Sequence, residues 1–286
     1  MNKREYVEEV HPAGFIVRYG AKETLFTGKS EFQKVEVVDT VSHGKMLLND
    51  DLVMVTERDE FIYHDMITHV PLFLHPNPQR VLIIGGGDGG TAREVLRHKN
   101  VQHVDMVEID GMVIEACRKF IPQTAVGMED NARFSLFVDD GIKFVKETKQ
   151  KYDVIIVDST DPIGPATPLF GVPFYKDVLA CLSSDGIVVS QGESPHYNSD
   201  TQISLVKILS QLFPVVQYYN FTNLTYPGGQ WSFSFASRGL HPTRDFNKKR
   251  VLDSGLKFKY YTADMHSAAF SLPQFQIDKI GGYLKA

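Results

Sequence analysis

The stretch Val81-Leu-Ile-Ile-Gly-Gly-Gly-Asp-Gly-Gly90 decides the fold. Four apolar residues, three of them β-branched, read as a buried strand. The glycines after them fit G-x-G-x-x-G, the tight turn that delivers a strand into a helix. Downstream the hydrophobic period keeps switching. Helices are expected at 92–98, 112–120, 142–148, 174–182 and 203–213, and strands at 104–107, 134–138, 154–157, 187–190, 215–219 and 232–236. Strands and helices alternating this regularly imply an α/β domain with a doubly wound, mostly parallel sheet, seven-stranded once 81–84 is included.

Upstream the pattern is different. Residues 1–56 hold short β-prone runs at 15–19, 33–38, 46–48 and 52–55, separated by Gly20, Gly28 and His43-Gly44. They form a small N-terminal β domain, and the α/β domain takes 57–286. Its first part, 57–78, is a helix and a linker. Thr56-x-x-Asp59 reads as a capped start, the helix closes near Pro71, and His75-Pro-Asn-Pro78 cannot be helical.

Composition narrows the function. The chain has 286 residues, 43% hydrophobic and 23% charged, with a net charge of −5. This is globular composition without the basic stripe of a nucleic-acid coat. No apolar run is long enough for a transmembrane helix, and MNKREYVEEV lacks a signal peptide's apolar region. A cytoplasmic protein is expected. Cys117 and Cys181 are too few for a disulfide framework or a four-cysteine zinc site and read as buried small hydrophobes. His64 and His69, five apart, leave a helix about 140° from each other, so they make no two-histidine metal face. No metal is expected.

In an open α/β sheet, ligands bind beyond the carboxyl ends of the strands. Gly85 and the rest of the turn with Asp88 follow the first strand of the sheet, Glu108 the second, Asp139-Asp140-Gly141 the third and Asp158-Ser159-Thr160-Asp161 the fourth, while Gln191 follows the fifth. Glu108 stands about 20 residues beyond the glycines, where an acid can bond ribose hydroxyls. A dinucleotide would place its diphosphate against this turn, and Asp88 would repel it by about 4 kcal/mol at ~4 Å and an effective dielectric of ~20. A positively charged adenosyl ligand fits instead. Asp88, Asp158 and Asp161 share the crevice mouth with no lysine or arginine in their loops, so a polycationic substrate would supply the counter-charge. Read alone, Tyr63 and His64 are a half-buried aromatic and a surface imidazole, and Tyr226 is a turn aromatic.

Several long motifs closely resemble spermidine synthases, of the polyamine aminopropyltransferase family. They are Thr56-Glu-Arg-Asp-Glu-Phe-Ile-Tyr-His-Asp-Met66, His75-Pro-Asn-Pro78, the glycine stretch, Asp158-Ser-Thr-Asp-Pro-Ile-Gly-Pro165, Thr225-Tyr-Pro-Gly-Gly229 and Lys259-Tyr-Tyr-Thr-Ala-Asp-Met-His-Ser-Ala-Ala-Phe270. The resemblance implies a Rossmann-like methyltransferase fold and a homodimer or homotetramer. It further implies aminopropyl transfer from decarboxylated S-adenosylmethionine, a co-substrate rather than a cofactor, to putrescine, giving spermidine and methylthioadenosine. By the same resemblance Gln33, Glu108, Asp140, Gly141 and Pro165 hold the adenosyl part and Asp88 the aminopropyl ammonium. Tyr63, His64, Asp158, Ser159, Thr160, Asp161, Gln191 and Tyr226 line the amine site, with Asp158 the proton acceptor. The chain departs from the family in carrying His64 where eukaryotic members tend to have glutamine, Tyr6 near a common tryptophan, and Asn49-Asp50-Asp51 for a commoner Leu-Asp-Gly. Alternatives with related chemistry are an agmatine or other amine acceptor and a putrescine N-methyltransferase. A nicotinamide-dependent oxidoreductase is disfavoured by Asp88, and a non-catalytic polyamine binder by the intact Asp158.

Overall fold

A computed structural model describes residues 5–128, 131–162 and 164–286, with the backbone alone of Pro165. The N-terminal sheet is an antiparallel meander of β1 (Tyr6–His11), β2 (Phe15–Lys29), β3 (Lys34–Thr40), β4 (Gly44–Asn49) and β5 (Leu52–Thr56), paired in sequence order. Two features go beyond the sequence reading. Strand β1 was not expected, and β2 runs ten residues past the expected 15–19 because register shifts near Ala21 and Thr24 bend it along β3. The β4–β5 turn places Asp50 and Asp51 at φ of 47° and 66°, left-handed positions usually given to Asn-Gly. They are held there because the Asp50 carboxylate accepts the Lys34 amide N–H at 2.9 Å and the Asp51 carboxylate accepts from Lys34 Nζ at 2.9 Å.

Helix α1 (Glu60–Leu74) links the two sheets. It runs through Pro71 instead of stopping there. A proline inside a helix costs about 3 kcal/mol, but every residue of α1 except Phe61 is buried, and each large apolar side chain contributes roughly 1.5–3 kcal/mol. Tertiary packing outweighs the broken hydrogen bond. The expected capping box is also absent. Asp59 caps nothing; its carboxylate accepts from Thr56 Oγ1 and Thr225 Oγ1 at 2.6 Å each and from the Leu224 and Thr225 amides at 2.9 Å each.

The second sheet contains β6 (Arg80–Gly85), β7 (His103–Glu108), β8 (Phe134–Val138), β9 (Tyr152–Asp158), β10 (Leu182–Gln191), β11 (Val215–Thr222) and β12 (Gln230–Ser237) in the order β11-β12-β10-β9-β6-β7-β8. β12 alone is reversed, pairing antiparallel with β10 and β11, while the remaining pairs are parallel. This is the Rossmann-like methyltransferase arrangement. The crossover helices are α2 (Gly90–Leu96), α3 (Gly111–Phe120), α4 (Gly141–Glu147), α5 (Val172–Cys181) and α6 (Ser199–Leu212); α7 (Lys248–Asp253), α8 (Ala263–Ala269) and α9 (Gln274–Ile280) complete the tail. Alternate residues of β6 serve opposite faces. Val81 and Ile83 pack with α1 and α2, while Leu82 and Ile84 pack with α5 and α6. Cys181 lies in this second layer, and Cys117 lies where α3 meets Val35, Val37, Leu47 and Val55 of the N-terminal sheet. Both are buried, as small hydrophobes should be. Strand order reverses between β6 and β9, so a crevice opens beyond their carboxyl ends.

Candidate active site

That crevice is a cavity of ≈ 320 Å³ running from the N-terminal sheet to the β11–β12 loop, within the range of small-ligand sites. It gathers Gln33, Tyr63, His64, Gly85, Asp88, Glu108, Asp140, Gly141, Asp158, Ser159, Thr160, Asp161, Gln191 and Tyr226. Pro165 was also expected, and its side chain lies outside the described residues.

The floor is backbone. Gly85 has φ of 82°, and a Cβ there would lie 2.2 Å from the Asp158 carbonyl oxygen, so only glycine lets β6 and β9 close together. Glu108 accepts from the Gly87 amide at 3.1 Å and the Asp110 amide at 2.9 Å, fixing its carboxylate at the end of β7. Burial raises Glu108 to about 7 against those two donors. Asp140 caps α4 by accepting from the Ile142 amide at 2.8 Å. Gln33 crosses from the N-terminal sheet and donates to Asp110 at 3.0 Å, closing one wall.

Acids gather at the near end. Asp158 ends β9 and accepts from Tyr63 Oη at 2.8 Å on one oxygen and from Thr91 Oγ1 at 2.6 Å on the other. Burial and then repulsion from Asp88 raise its pKa, against the charge on His64 and the two hydroxyl donors. Asp88 accepts from the Gly90 amide at 2.7 Å and lies 3.2 Å from His64 Nε2.

His64 is not a surface imidazole. It is buried, with Nδ1 2.6 Å from Glu60 and Nε2 facing Asp88. Carboxylates on both nitrogens require both to donate, which only imidazolium can do. Burial alone would pull the group down, but Asp88 and Glu60 together lift it to about 10. Gly90 is shaped to this ring, since a Cβ there would lie 2.1 Å from His64 Cε1. The protein therefore supplies one counter-charge to the acid cluster, which the loops alone did not reveal. Arg93 of α2 reaches Glu60 at 2.8 Å, behind the ring.

Tyr226 is more than a turn aromatic: its hydroxyl donates to the Met54 carbonyl at 2.7 Å, tying the β11–β12 loop to the N-terminal sheet. At the far end Gln191 donates to Asp161 at 3.1 Å and to Glu193 at 3.3 Å. Glu9 of β1 also faces this end, and burial, opposed by the Val53 amide and reinforced by Asp161, raises it to about 7. Sequence reasoning missed Glu9, Glu60, Thr91 and Glu193. Two had signals: Glu60 stands four residues before His64 on one helix face, and Glu193 stands two beyond a strand end.

Residues 60–248 match the family model for the spermine/spermidine synthase domain, and residues 6–57 match that for the spermidine synthase tetramerisation domain. The chain belongs to the spermine/spermidine synthase family. It is similar to the polyamine aminopropyltransferases of Alkaliphilus metalliredigens (48% identity, 92% of this chain and 93% of the relative) and Methanocaldococcus jannaschii (45%, 95% and 94%). Among solved structures it resembles a spermidine synthase in complex with the transition-state analogue AdoDATO (TM-score 0.94, 38% identity, 96% and 94% coverage). It also resembles the spermidine synthase of Thermotoga maritima (TM-score 0.93, 37%, 98% and 95%). As a member of the spermine/spermidine synthase family, the chain is a transferase of polyamine biosynthesis.

Proposed function

We propose that this aminopropyltransferase is a spermidine synthase, moving the aminopropyl group of decarboxylated S-adenosylmethionine to putrescine. The observation that carries the reading is the placement of Asp158, clasped by Tyr63 and Thr91 beside Asp88 where β6 and β9 part. Glu108 suits the ribose hydroxyls, with Gln33, Asp140, Gly141 and Pro165 around the adenine. Asp88 suits the aminopropyl ammonium, while Tyr63, His64, Ser159, Thr160, Asp161, Gln191 and Tyr226 enclose the diamine.

The reaction forms a carbon–nitrogen bond and breaks a carbon–sulfur bond, whose electron pair stays on the departing thioether. One amine proton must leave. An alkylammonium titrates near 10.4 and a free aspartate near 3.9, a gap of roughly 9 kcal/mol. Burial and Asp88 narrow that gap from the Asp158 side, and the nitrogen becomes more acidic as its new bond forms. Asp158 therefore positions the amine and takes its proton late, while alignment against the sulfonium supplies much of the rate. The transfer runs between two bound substrates and calls for no resident cofactor.

Mass analysis of products from each donor with a panel of amines tests this. Methylthioadenosine with spermidine supports it, methylputrescine points to an N-methyltransferase, and aminopropylagmatine to the other acceptor. Asp158→Asn should lower kcat/KM about 10²- to 10⁴-fold, the range of a lost general base; near-normal turnover across pH would remove Asp158 from that role. Assembly as a homodimer or homotetramer through the N-terminal sheet is proposed on its family match and on Tyr6, Val10, Ile16 and Val41, which remain exposed there. Light scattering reads it directly. Among the described residues no helix is long and apolar enough to cross a membrane, and we place the enzyme in the cytoplasm.

A further inference from the structure

Behind Asp161 lies a carboxyl group that takes no part in the chemistry above. After β10 the chain passes Gly192 and turns at Glu193 with φ of 67°, a conformation that side chains other than glycine's rarely hold. Gln202 and Ser232 fix that turn: Gln202 Nε2 donates to the Gly192 and Glu193 carbonyls at 3.0 and 3.2 Å, and Ser232 Oγ to the same pair at 2.7 and 2.9 Å. The Glu193 side chain is thereby pressed, fully buried, against Asp161 and Gln191.

The local hydrogen-bond count does not close. Gln191 shares its one amide nitrogen between Asp161 at 3.1 Å and Glu193 at 3.3 Å, so two carboxyl groups converge on a single donor. Two ionised carboxylates held on one donor repel each other, whereas two that hold one proton between them do not. Gln191 Oε1 and Glu193 Oε2 remain buried without a donor. Glu9 faces Asp161 from β1 with one oxygen held by the Val53 amide, and Tyr226 approaches from the β11–β12 loop. Among the described residues no lysine, arginine or histidine donates to Glu9, Asp161 or Glu193. This end of the cavity has acceptors in excess and lacks a donor cation.

Resting on the diamine reading of the cavity, we infer that Glu193 is a positioning residue for the acceptor: it shares one proton with Asp161 in the empty site, and that proton leaves when the far ammonium binds. Glu193 is sealed behind Asp161 and Gln191, so it acts through them. The arriving ammonium gives its hydrogens to Asp161 and Gln191 Oε1, and the pair then ionises fully. Burial and the Asp161 charge, which together raise Glu193 to about 9, agree with a proton held at neutral pH. By linkage, acceptor affinity should rise about tenfold per pH unit up to that value, since one proton is lost per amine bound.

The test is calorimetric titration of putrescine into the enzyme saturated with methylthioadenosine, in two buffers of different ionisation enthalpy. Wild type at pH 7.5 should release close to one proton. Glu193→Asp should keep the release, and Glu193→Gln should abolish it. In turnover at pH 9, Glu193→Gln should raise the acceptor KM about tenfold and leave kcat within twofold. Wild type that binds and consumes putrescine without releasing a proton overturns the inference whatever the variants do, as does a Glu193→Gln effect confined to kcat. Wild type that neither binds nor consumes putrescine sinks the diamine reading, and this inference with it.

Discussion

Helix α1 carries the same device twice, and the two copies differ in what covers them. Glu60 and His64 form one acid–histidine pair four residues apart, and Asp65 and His69 form the next. Each histidine then meets an acid from the segment after β6, His64 reaching Asp88 at 3.2 Å and His69 reaching Glu94 at 3.0 Å. Arg93 stands between them and bonds both Glu60 and Glu94. The second copy is closed. Asp65 accepts three backbone amides from Lys259, Tyr260 and Tyr261, His98 meets the other nitrogen of His69, Arg97 bonds Glu94, and Phe258 lies against the ring. Burial and then the charges of His69 and Arg97 hold His98 far below the usual imidazole range, so it stays neutral. The first copy opens onto the cavity through Asp88. Ionic groups packed shut fasten a tail to a helix, and the same groups left with one free face prepare a binding site.

The largest effect should come from the closed copy and fall on stability alone. His69→Ala leaves Asp65 and Glu94 without their buried partner, a loss of about 3–5 kcal/mol for a broken internal pair. Chemical denaturation reads it, and kcat of the folded fraction should stay near wild type. A collapse of kcat at unchanged stability would mean that the two copies are not separate. Next in size is Asp88→Asn, which should cost less stability, because His64 keeps Glu60, and should strike donor binding. Losing one partner of a buried charge pair costs about 2–5 kcal/mol, or roughly 30- to 5 × 10³-fold in kcat/KM for decarboxylated S-adenosylmethionine. The same change should narrow discrimination against S-adenosylmethionine, whose α-carboxylate Asp88 repels. Parallel titration of both donors measures it, and unchanged discrimination would free Asp88 of that role.

The legibility of the molecule follows the same division. Strand ends pointed to the cavity, because a polar residue at or just beyond a strand's carboxyl end faces that edge of the sheet; Glu108, Asp158 and Gln191 end strands, Asp88 and Asp140 follow them by two or three residues, and all five line the cavity. What stayed hidden depends on contacts between distant segments. Glu9 reaches the cavity from a strand whose pattern is too mixed to read, and Thr91 bonds Asp158 across 67 residues. Thr56-x-x-Asp59 looked like a capping box because its local spacing is right, yet beyond Thr56 the Asp59 carboxylate is held by partners 165 and 166 residues away instead of by the helix. Pro71 looked like a stop because propensity is local and the burial of α1 is not. His64 was misjudged for the same reason, since an imidazole declares its charge only when both nitrogens have found their acids.

The smallest effect separates the two copies by pH. His64→Gln keeps a side chain that can donate to Asp88 or Glu60 but removes the charge. In wild type the folded-state pKa of His64 is raised from 6.5 to about 10. Its contribution to stability is therefore complete below about pH 6.5 and fades as pH rises through about 10. The variant should lose that slope, with a Tm lower than wild type near neutrality by on the order of 5 °C and converging with it in alkali. Catalysis gives an independent reading. The His64 charge is among the influences that lower Asp158, so the acid limb of the kcat/KM profile should move to higher pH when that charge is gone. His69→Gln, scanned in parallel, should leave the limb in place because its acids never meet the cavity. If both variants moved the limb equally, Arg93 would be transmitting charge between the copies, and the open and closed networks would have to be treated as one.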